Sequence, residues 1–304
     1  MSNLVIIDGN MMVHRAFNVM PDLEHSETGE HTGAVYGVAN MLLKLIDSHH
    51  PEFIVVCFDR PEPTFRHKIY PLYKHKEMDL EMLEYYRRIH EQIPRIKQLF
   101  ETFGIPIFEC PGYEADDLCG AIASQASDMG IGVLVMTEDN DMLQLVDNNR
   151  NIAVLKKDMI VDEDYVTARF NGLLPSWIPQ LKALCGDASD NIPNIPGIGE
   201  ITAIKVLQFG SIDFILNSPE AVIENSLLAV GADTRVKTAV RKVRLMGTQV
   251  MMSRALATIS IEVPVVFRPG EATLVVSFAE VLQLFNDLQF KNLERRVLQM
   301  FGTK

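Results

Sequence analysis

Leu4-Val5-Ile6-Ile7-Asp8-Gly9-Asn10 opens the chain with a β-branched apolar run that stops on an acid. A run without polar alternation reads as a strand buried on both faces, as in a parallel sheet. The pattern returns: Phe53 to Phe58 stops on Asp59, and Val133-Leu134-Val135-Met136 leads into Thr137-Glu138-Asp139-Asn140-Asp141. Strands are predicted at 3–8, 53–59, 105–109, 131–137 and 152–155, with helices near 34–48, 78–103, 115–129 and 140–146. This βαβ rhythm predicts an α/β fold with a mostly parallel central sheet and helices on both faces. Pro94 falls inside the 78–103 pattern and is expected to split or kink that helix. Beyond about residue 175 the strand signal gives way to helical, turn-rich sequence. The expected division is therefore 1–175 and 176–304, with the apolar segment Ala257 to Phe267 a candidate returning strand.

Ligands of such sheets sit beyond the carboxyl ends of the strands. Asp8, Asp59, Asp139 and Asp141 stand at or just past strand ends. Glu114, Asp116 and Asp117 open an Ala/Ile-rich helical stretch, and Asp187 and Asp190 precede a glycine hairpin. Taken singly, each acid reads as a helix cap or turn residue. Taken together they converge on one patch, where two carboxylates about 5 Å apart repel by roughly 3 kcal/mol at an effective dielectric of 20. Such a patch needs protons or hard cations. With no His or Cys in the set, the oxygen donors point to Mg2+ or Mn2+ rather than zinc.

At 304 residues and 47% apolar content, the chain has material for two domains or one large α/β domain with an appendage. No apolar stretch approaches the ~18 residues of a membrane span, and Asp8 interrupts the only apolar run near the N-terminus, so no signal peptide is read. Four cysteines (Cys57, Cys110, Cys119, Cys185) form no C-x-x-C pair and suggest reduced thiols and a cytoplasmic location. The net charge of −12 is unevenly spread. Residues 234–254 carry Arg235, Lys237, Arg241, Lys242, Arg244 and Arg254 with no acid. Residues 60–97 interleave Arg66, Lys68, Lys74, Lys76, Arg87 and Arg88 with Phe65, Tyr70, Tyr73, Tyr85 and Tyr86. Cations among rings suit a single strand, whose phosphates need charge and whose bases stack. A long surface crossover with solvated charges and packed rings fits the composition equally well. Pro196-Gly197-Ile198-Gly199 ahead of a helical run that includes Lys205 is a helix-hairpin-helix candidate. There, glycines at positive φ would admit a DNA backbone and helix amides would face a phosphate. No P-loop or dinucleotide fingerprint is present.

Taken in order, these motifs resemble the metal-dependent 5′ nuclease family, which includes flap endonucleases, phage 5′ exonucleases and the nuclease domain of bacterial DNA polymerase I. The matching stretches are Ile7-Asp8-Gly9-Asn10 with Arg15-Ala16-Phe17, Thr32 to Gly37, Phe58-Asp59 with Phe65-Arg66, and Tyr73-Lys74. They continue with Tyr113 to Asp117, Asp139-x-Asp141 with Gln144-Leu145, Gly186 to Asn191 with its hairpin, and Ser253 to Ile259. The resemblance implies a PIN-like core, a helical arch at about 60–103 and a helix-three-turn-helix subdomain after 176. It implies that Asp8, Asp59, Glu114 and Asp116 hold one ion, and that Asp117, Asp139, Asp141, Asp187 and Asp190 hold or surround a second. It places Arg66 and Lys74 on the reacting phosphate, with Asp8 and Asp116 as catalytic acids. Tyr73, Lys182, Gly197, Gly199 and Lys205 are placed on DNA, with K+ at the hairpin carbonyls. The implied reaction is two-metal hydrolysis of DNA at 5′ ends and 5′ flaps. Its partners would be branched DNA and RNA primers on DNA, and the protein would act as a monomer. Glu138 and Asn140 depart from the pattern around Asp139, and an extra carboxylate there is expected to shift metal affinity. With no polymerase after residue 304, a free-standing nuclease is expected. A PIN-type ribonuclease is the first alternative, weakened by the arch and hairpin. A non-cleaving DNA-binding protein is the second, weakened by the full acid set. A small-molecule phosphatase is poorer still, because Asp8-Gly9-Asn10 lacks a second Asp.

Overall fold

The structure, a computed structural model, describes residues 3–301. Six strands form one sheet: β1 (Leu4–Asp8), β2 (Phe53–Cys57), β3 (Ile107–Phe108), β4 (Val133–Met136), β5 (Ile152–Lys156) and β6 (Met159–Val161), in the order β3-β2-β1-β4-β5-β6. All neighbours are parallel except β5 and β6. Their side chains divide by parity between two cores. Leu4, Ile6, Val55, Val133 and Val135 enter one, and Val5, Ile7, Ile54, Val56 and Leu134 the other. Burial on both faces is why these strands read as continuous apolar runs.

Helices Gly9–Val19, Gly33–His49 and Leu80–Thr102 cover the second face, and helix Ala115–Asp128 covers the first. The winding reverses between β1 and β4, which places a switch point at the ends of Asp8 and Met136. The chain can turn from β1 straight into a helix because Gly9 lies against β2. A Cβ there would meet the Cys57 carbonyl and the Phe58 ring at 2.7 Å. Beyond helix Ala115–Asp128 the first core continues into a helical unit, with helices Ile178–Cys185, Glu200–Phe209, Thr234–Leu245 and Gly247–Ala257.

Several expectations change. β6 is an added antiparallel strand, reached through Lys157 and Asp158 at positive φ (47° and 65°). Residues Asp141–Leu145 form a 3-10 turn rather than an α-helix. Helix Leu80–Thr102 runs unbroken through Pro94, whose missing N–H strands only the carbonyl of His90, an exposed residue. Residues 258–267 form no strand. Side chains replace a ladder partner: Gln144 accepts from Ile259 N, Asp117 from Ser260 N, and Gln125 binds Val265 O and Phe267 N. The tail also leaves the helical unit. Leu274 N donates to Glu52 O at the sheet edge, and helices Phe278–Asp287 and Lys291–Phe301 join the second core. Among the described residues no helix is long and apolar enough to cross a membrane.

Candidate active site

β1, β2 and β4 end at one edge of the sheet, where helix Ala115–Asp128 meets them end-on. A cavity of about 300 Å³ there is lined by Asp8, Asn10, Asp59, Lys74, Glu114, Asp116 and Asp139. Asp8 caps the following helix, its Oδ1 accepting from Met11 N at 3.0 Å and its Oδ2 from the Thr137 hydroxyl at 2.8 Å. Burial pushes its carboxyl up to about 6 against the pull of those bonds, with repulsion from Asp59 and Asp139 adding to the rise. Asp59 accepts from Ala115 N at 2.6 Å and from Asn10 Nδ2 at 2.9 Å, while Asp59 N donates back to Asn10 Oδ1 at 3.0 Å. Asp116 is held well above the carboxylate range by burial, then by Asp8 and Asp139. These are acids that gain from a cation.

Lys74 is the cation already present. Its backbone sits in the left-handed region (φ 51°), a conformation that costs about 1–3 kcal/mol for a non-glycine residue. Its N–H donates to Asp190 O at 2.9 Å, which holds it there. Its Nζ lies 3.2 Å from Glu114 Oε2 and 3.9 Å from Asp190 Oδ2. Burial disfavours the ammonium, but Glu114, Asp190 and Asp116 outweigh it and raise its pKa. Buried Tyr73 fixes the same two acids, its hydroxyl lying 3.0 Å from Glu114 Oε2 and 3.1 Å from Asp190 Oδ2.

A second acid group lies alongside, tied to the first through Asp141 N, which donates to Asp139 Oδ1 at 2.8 Å. Lys182 Nζ stands 2.7 Å from Asp141 Oδ1 and also contacts Asp187 Oδ2. Burial and then Asp139 raise Asp141 to about 6. Burial pushes Asp187 upward too, yet hydrogen bonds from Lys182 and Ser189 leave it below the usual range. Among the described residues no three carboxylates are close enough to enclose an ion as they stand. Lys74 and Lys182 stand between them instead. The donor set is nevertheless all oxygen, desolvated and short of positive charge, which fits a hard divalent ion.

Two expected site residues are sealed off. Asp117 is 0% exposed and takes Arg66 Nη1 and Nη2 at 2.7 and 2.8 Å, with Glu114 N and Ser260 N on the same oxygens. Arg66, 2% exposed, also donates to the Leu256 and Thr258 carbonyls, and its Nη1 lies 3.4 Å from Glu114 Oε2, behind the cavity wall. Neither lines the cavity: Arg66 clamps the strap after helix Gly247–Ala257 and backs Glu114 from behind, and Asp117 has no lone pair left for an ion. Tyr73 likewise orients acids rather than meeting DNA. Glu138 turns away, bound by Arg15 Nη1 at 2.8 Å and Lys157 N at 3.0 Å, so it adds no charge to the cavity. Asn10 and Thr137 orient Asp59 and Asp8, a role that their place in the sequence motifs does not signal.

The ring-and-cation segment divides between the two readings. Phe65 pairs with Tyr113, and Tyr85 and Tyr86 cluster with His14. Arg87 is held by Glu84 and Glu91, and Arg88 by Pro21 O and Asp22. In the hairpin, Gly197 is at φ 82°, as expected, but Gly199 is an extended N-cap at φ −93° with open space around its Cα. Lys205 is exposed and pairs with Asp233 Oδ2 at 3.4 Å. Lys242, from the acid-free helix Thr234–Leu245, reaches over to donate to Pro196 O at 2.6 Å. It brings a cation to the hairpin that the motif alone did not locate.

Acids gathered at the switch point of a parallel sheet, backed by a glycine hairpin with basic neighbours, are the layout of a 5′ nuclease. The chain belongs to the 5′-3′ exonuclease family. Residues 3–171 match the family's N-terminal resolvase-like domain and 173–277 its C-terminal SAM fold. It is 39% identical over 221 residues to a 5′-3′ exonuclease of Aquifex aeolicus, covering 72% of this chain and 74% of that one. It is 34% identical over 299 residues to DNA polymerase I of Bacillus subtilis, covering 97% of this chain but 32% of the polymerase. The chain thus spans about a third of the polymerases it matches. Among solved structures, T5 5′-exonuclease with bound zinc superposes with a TM-score of 0.66 at 18% identity over 98% of both chains. The catalytic core of Rad2 in complex with a DNA substrate gives 0.57 at 17% identity, over 98% of this chain and 91% of that one. At these identities the likeness is one of fold.

Proposed function

We propose that the chain hydrolyses DNA phosphodiesters from 5′ ends and at the junction of a 5′ flap with duplex, leaving 5′-phosphates. The observation that carries this is the cavity that Asp8, Asp59, Glu114, Asp116 and Asp139 line together with Lys74, whose ammonium lies 3.2 Å from Glu114 Oε2. Asp8, Asp59, Glu114 and Asp116 would hold one Mg2+ or Mn2+, and Asp139, Asp141, Asp187 and Asp190 a second. When bound, such ions lower the pKa of an attacking water and stabilise the leaving oxygen. The protein's own groups do the positioning. Thr137 and Asn10 fix the rotamers of Asp8 and Asp59. Tyr73 and Glu114 aim Lys74 so that its ammonium meets negative charge building on the phosphoryl oxygens.

The hairpin at 193–199, with Lys205 and Lys242, would grip duplex backbone without reading sequence, with K+ on its carbonyls as a candidate aid. RNA primers on DNA are the natural second substrate, and a monomer in the nucleoid-bearing cytoplasm is the expected working form. The test is cleavage of a 5′-labelled flap, a nicked duplex, a blunt duplex and a single strand in Mg2+, with and without chelator. Flap cleavage lost on chelation supports the reading. Equal cutting of unstructured RNA would favour the PIN-type ribonuclease instead, and tight flap binding with no product in Mg2+ would overturn it.

A further inference from the structure

Lys182 lies on helix Ile178–Cys185, and it reaches two carboxylates from separate segments. Asp141 follows β4, and Asp187 follows the helix's own C-terminus. With a side chain 21% exposed, it stands at the mouth of the group rather than beneath it. A single ammonium between two acids leaves them with one net negative charge, enough to keep the loops together without any ion. The same two oxygens are those a divalent ion at this group would need. Ammonium and ion therefore compete, and an ion that displaces Lys182 frees its ammonium in a cavity of about 300 Å³ lined by Asn140, Lys182 and Asp187, which adjoins the acid cavity through the hydrogen bond from Asp141 N to Asp139.

We infer that Lys182 is an exchangeable counter-ion that couples the second divalent ion to the substrate backbone. In the ion-free protein it holds Asp141 and Asp187. When an ion takes those carboxylates, the freed ammonium turns to a phosphate oxygen. Because binding linkage is reciprocal, a phosphate that draws Lys182 away also tightens the ion's hold on the acids. Lys74 differs in its setting: its backbone is anchored to Asp190 O, and its ammonium faces Glu114 and Asp190, whose carboxylates Tyr73 also holds. This inference rests on the ion-dependent reading above and concerns the order and coupling of binding, not the reaction catalysed.

The test is Mn2+ binding, by calorimetry and by the loss of free-ion electron paramagnetic resonance signal, to the full chain with and without a flap duplex bearing an uncleavable linkage at the junction. In Lys182→Met the weaker Mn2+ should bind about tenfold more tightly without DNA, because a competing cation has gone. The extra tightening caused by DNA in the parent should shrink or vanish. Lys182→Arg keeps the charge and can grip both carboxylates bidentately, so it should bind the weaker ion less tightly than the parent. It provides the check if the Met variant folds poorly. Parent-like Mn2+ affinity in both variants, with flap cleavage intact, overturns the inference and leaves the nuclease reading standing. Absence of Mn2+ binding in the parent overturns both.

Discussion

Asp116 and Asp117 are neighbours on one helix, yet they belong to opposite kinds of region. Asp116 looks into the cavity, where burial, and then the charges of Asp8 and Asp139, push its carboxyl well above the usual carboxylate range. Asp117 points into the seam between helix Ala115–Asp128 and the strap at 256–260, where Arg66 and two backbone amides satisfy it completely. The cavity is electrostatically unfinished and the seam is finished. An ion and a phosphate can supply what the first lacks, whereas nothing can be added to the second. Substitutions in the two regions should therefore separate chemistry from stability.

Asp116→Asn should have the largest effect. Single-turnover flap cleavage in Mg2+ is expected to fall about 10⁴-fold, some 5.5 kcal/mol of barrier. Flap binding should be kept, and the ion-free protein should melt no lower, because the amide relieves repulsion from Asp8 and Asp139. Wild-type cleavage by this variant would dissolve the distinction between the regions. Arg66→Ala should do the reverse. Stranding Asp117 as a buried, unpaired charge costs about 3–5 kcal/mol of folding stability, readable in urea unfolding. Protein that remains folded at low temperature should cut within a few-fold of the parent, because Tyr73 and Lys74 still hold Glu114 Oε2 when the Arg66 contact at 3.4 Å is lost. A stable but inactive Arg66→Ala would put the guanidinium back on the phosphate.

The same contrast explains what the sequence discloses. Strands at 4–8, 53–57 and 133–136 are legible because burial on both faces writes itself as uninterrupted β-branched runs. β6 is not, because it spans only Met159–Val161 and turns through Lys157-Asp158, which lacks the Asn-Gly signature of a tight hairpin. Ala257 to Phe267 reads as a strand because its apolar spacing records burial but not its partner, which is the set of side chains Gln125, Gln144 and Asp117. The acids at strand ends reveal their convergence, since the sheet brings those ends together. Which acid is then silenced by a cation from elsewhere is a tertiary fact. Arg66 lies 51 residues from Asp117, and no local pattern couples them.

Within the cavity, Lys74→Ala should lower kcat by about 10²–10³, the usual loss when one preorganised charge facing a transition state is removed. KM for a flap should change less than kcat, because duplex contacts at the hairpin remain. A large rise in KM with kcat unchanged would move Lys74 from the reacting phosphate to general backbone binding. Such a result would make the cavity resemble the seam more closely than its geometry suggests.

Removal of divalent ions should give the smallest of these effects and the clearest separation. An ion at 100 times its dissociation constant stabilises the folded state by about 2.7 kcal/mol, which for a chain of this size corresponds to roughly 5–10 °C in melting temperature. Chelation should therefore lower the melting temperature of the parent by that amount. Mg2+ should restore it in Arg66→Ala, whose defect lies mainly in the seam, and should restore only part of it in Asp116→Asn, which loses a ligand of one ion but keeps the acid group of the other. The comparison is thermodynamic and needs no turnover, so it reports on the acids even where cleavage is lost. Equal Mg2+ stabilisation of all three proteins would mean that the stabilising ion binds away from Asp116, and the cavity at the ends of β1, β2 and β4 would lose its claim to be the unfinished region.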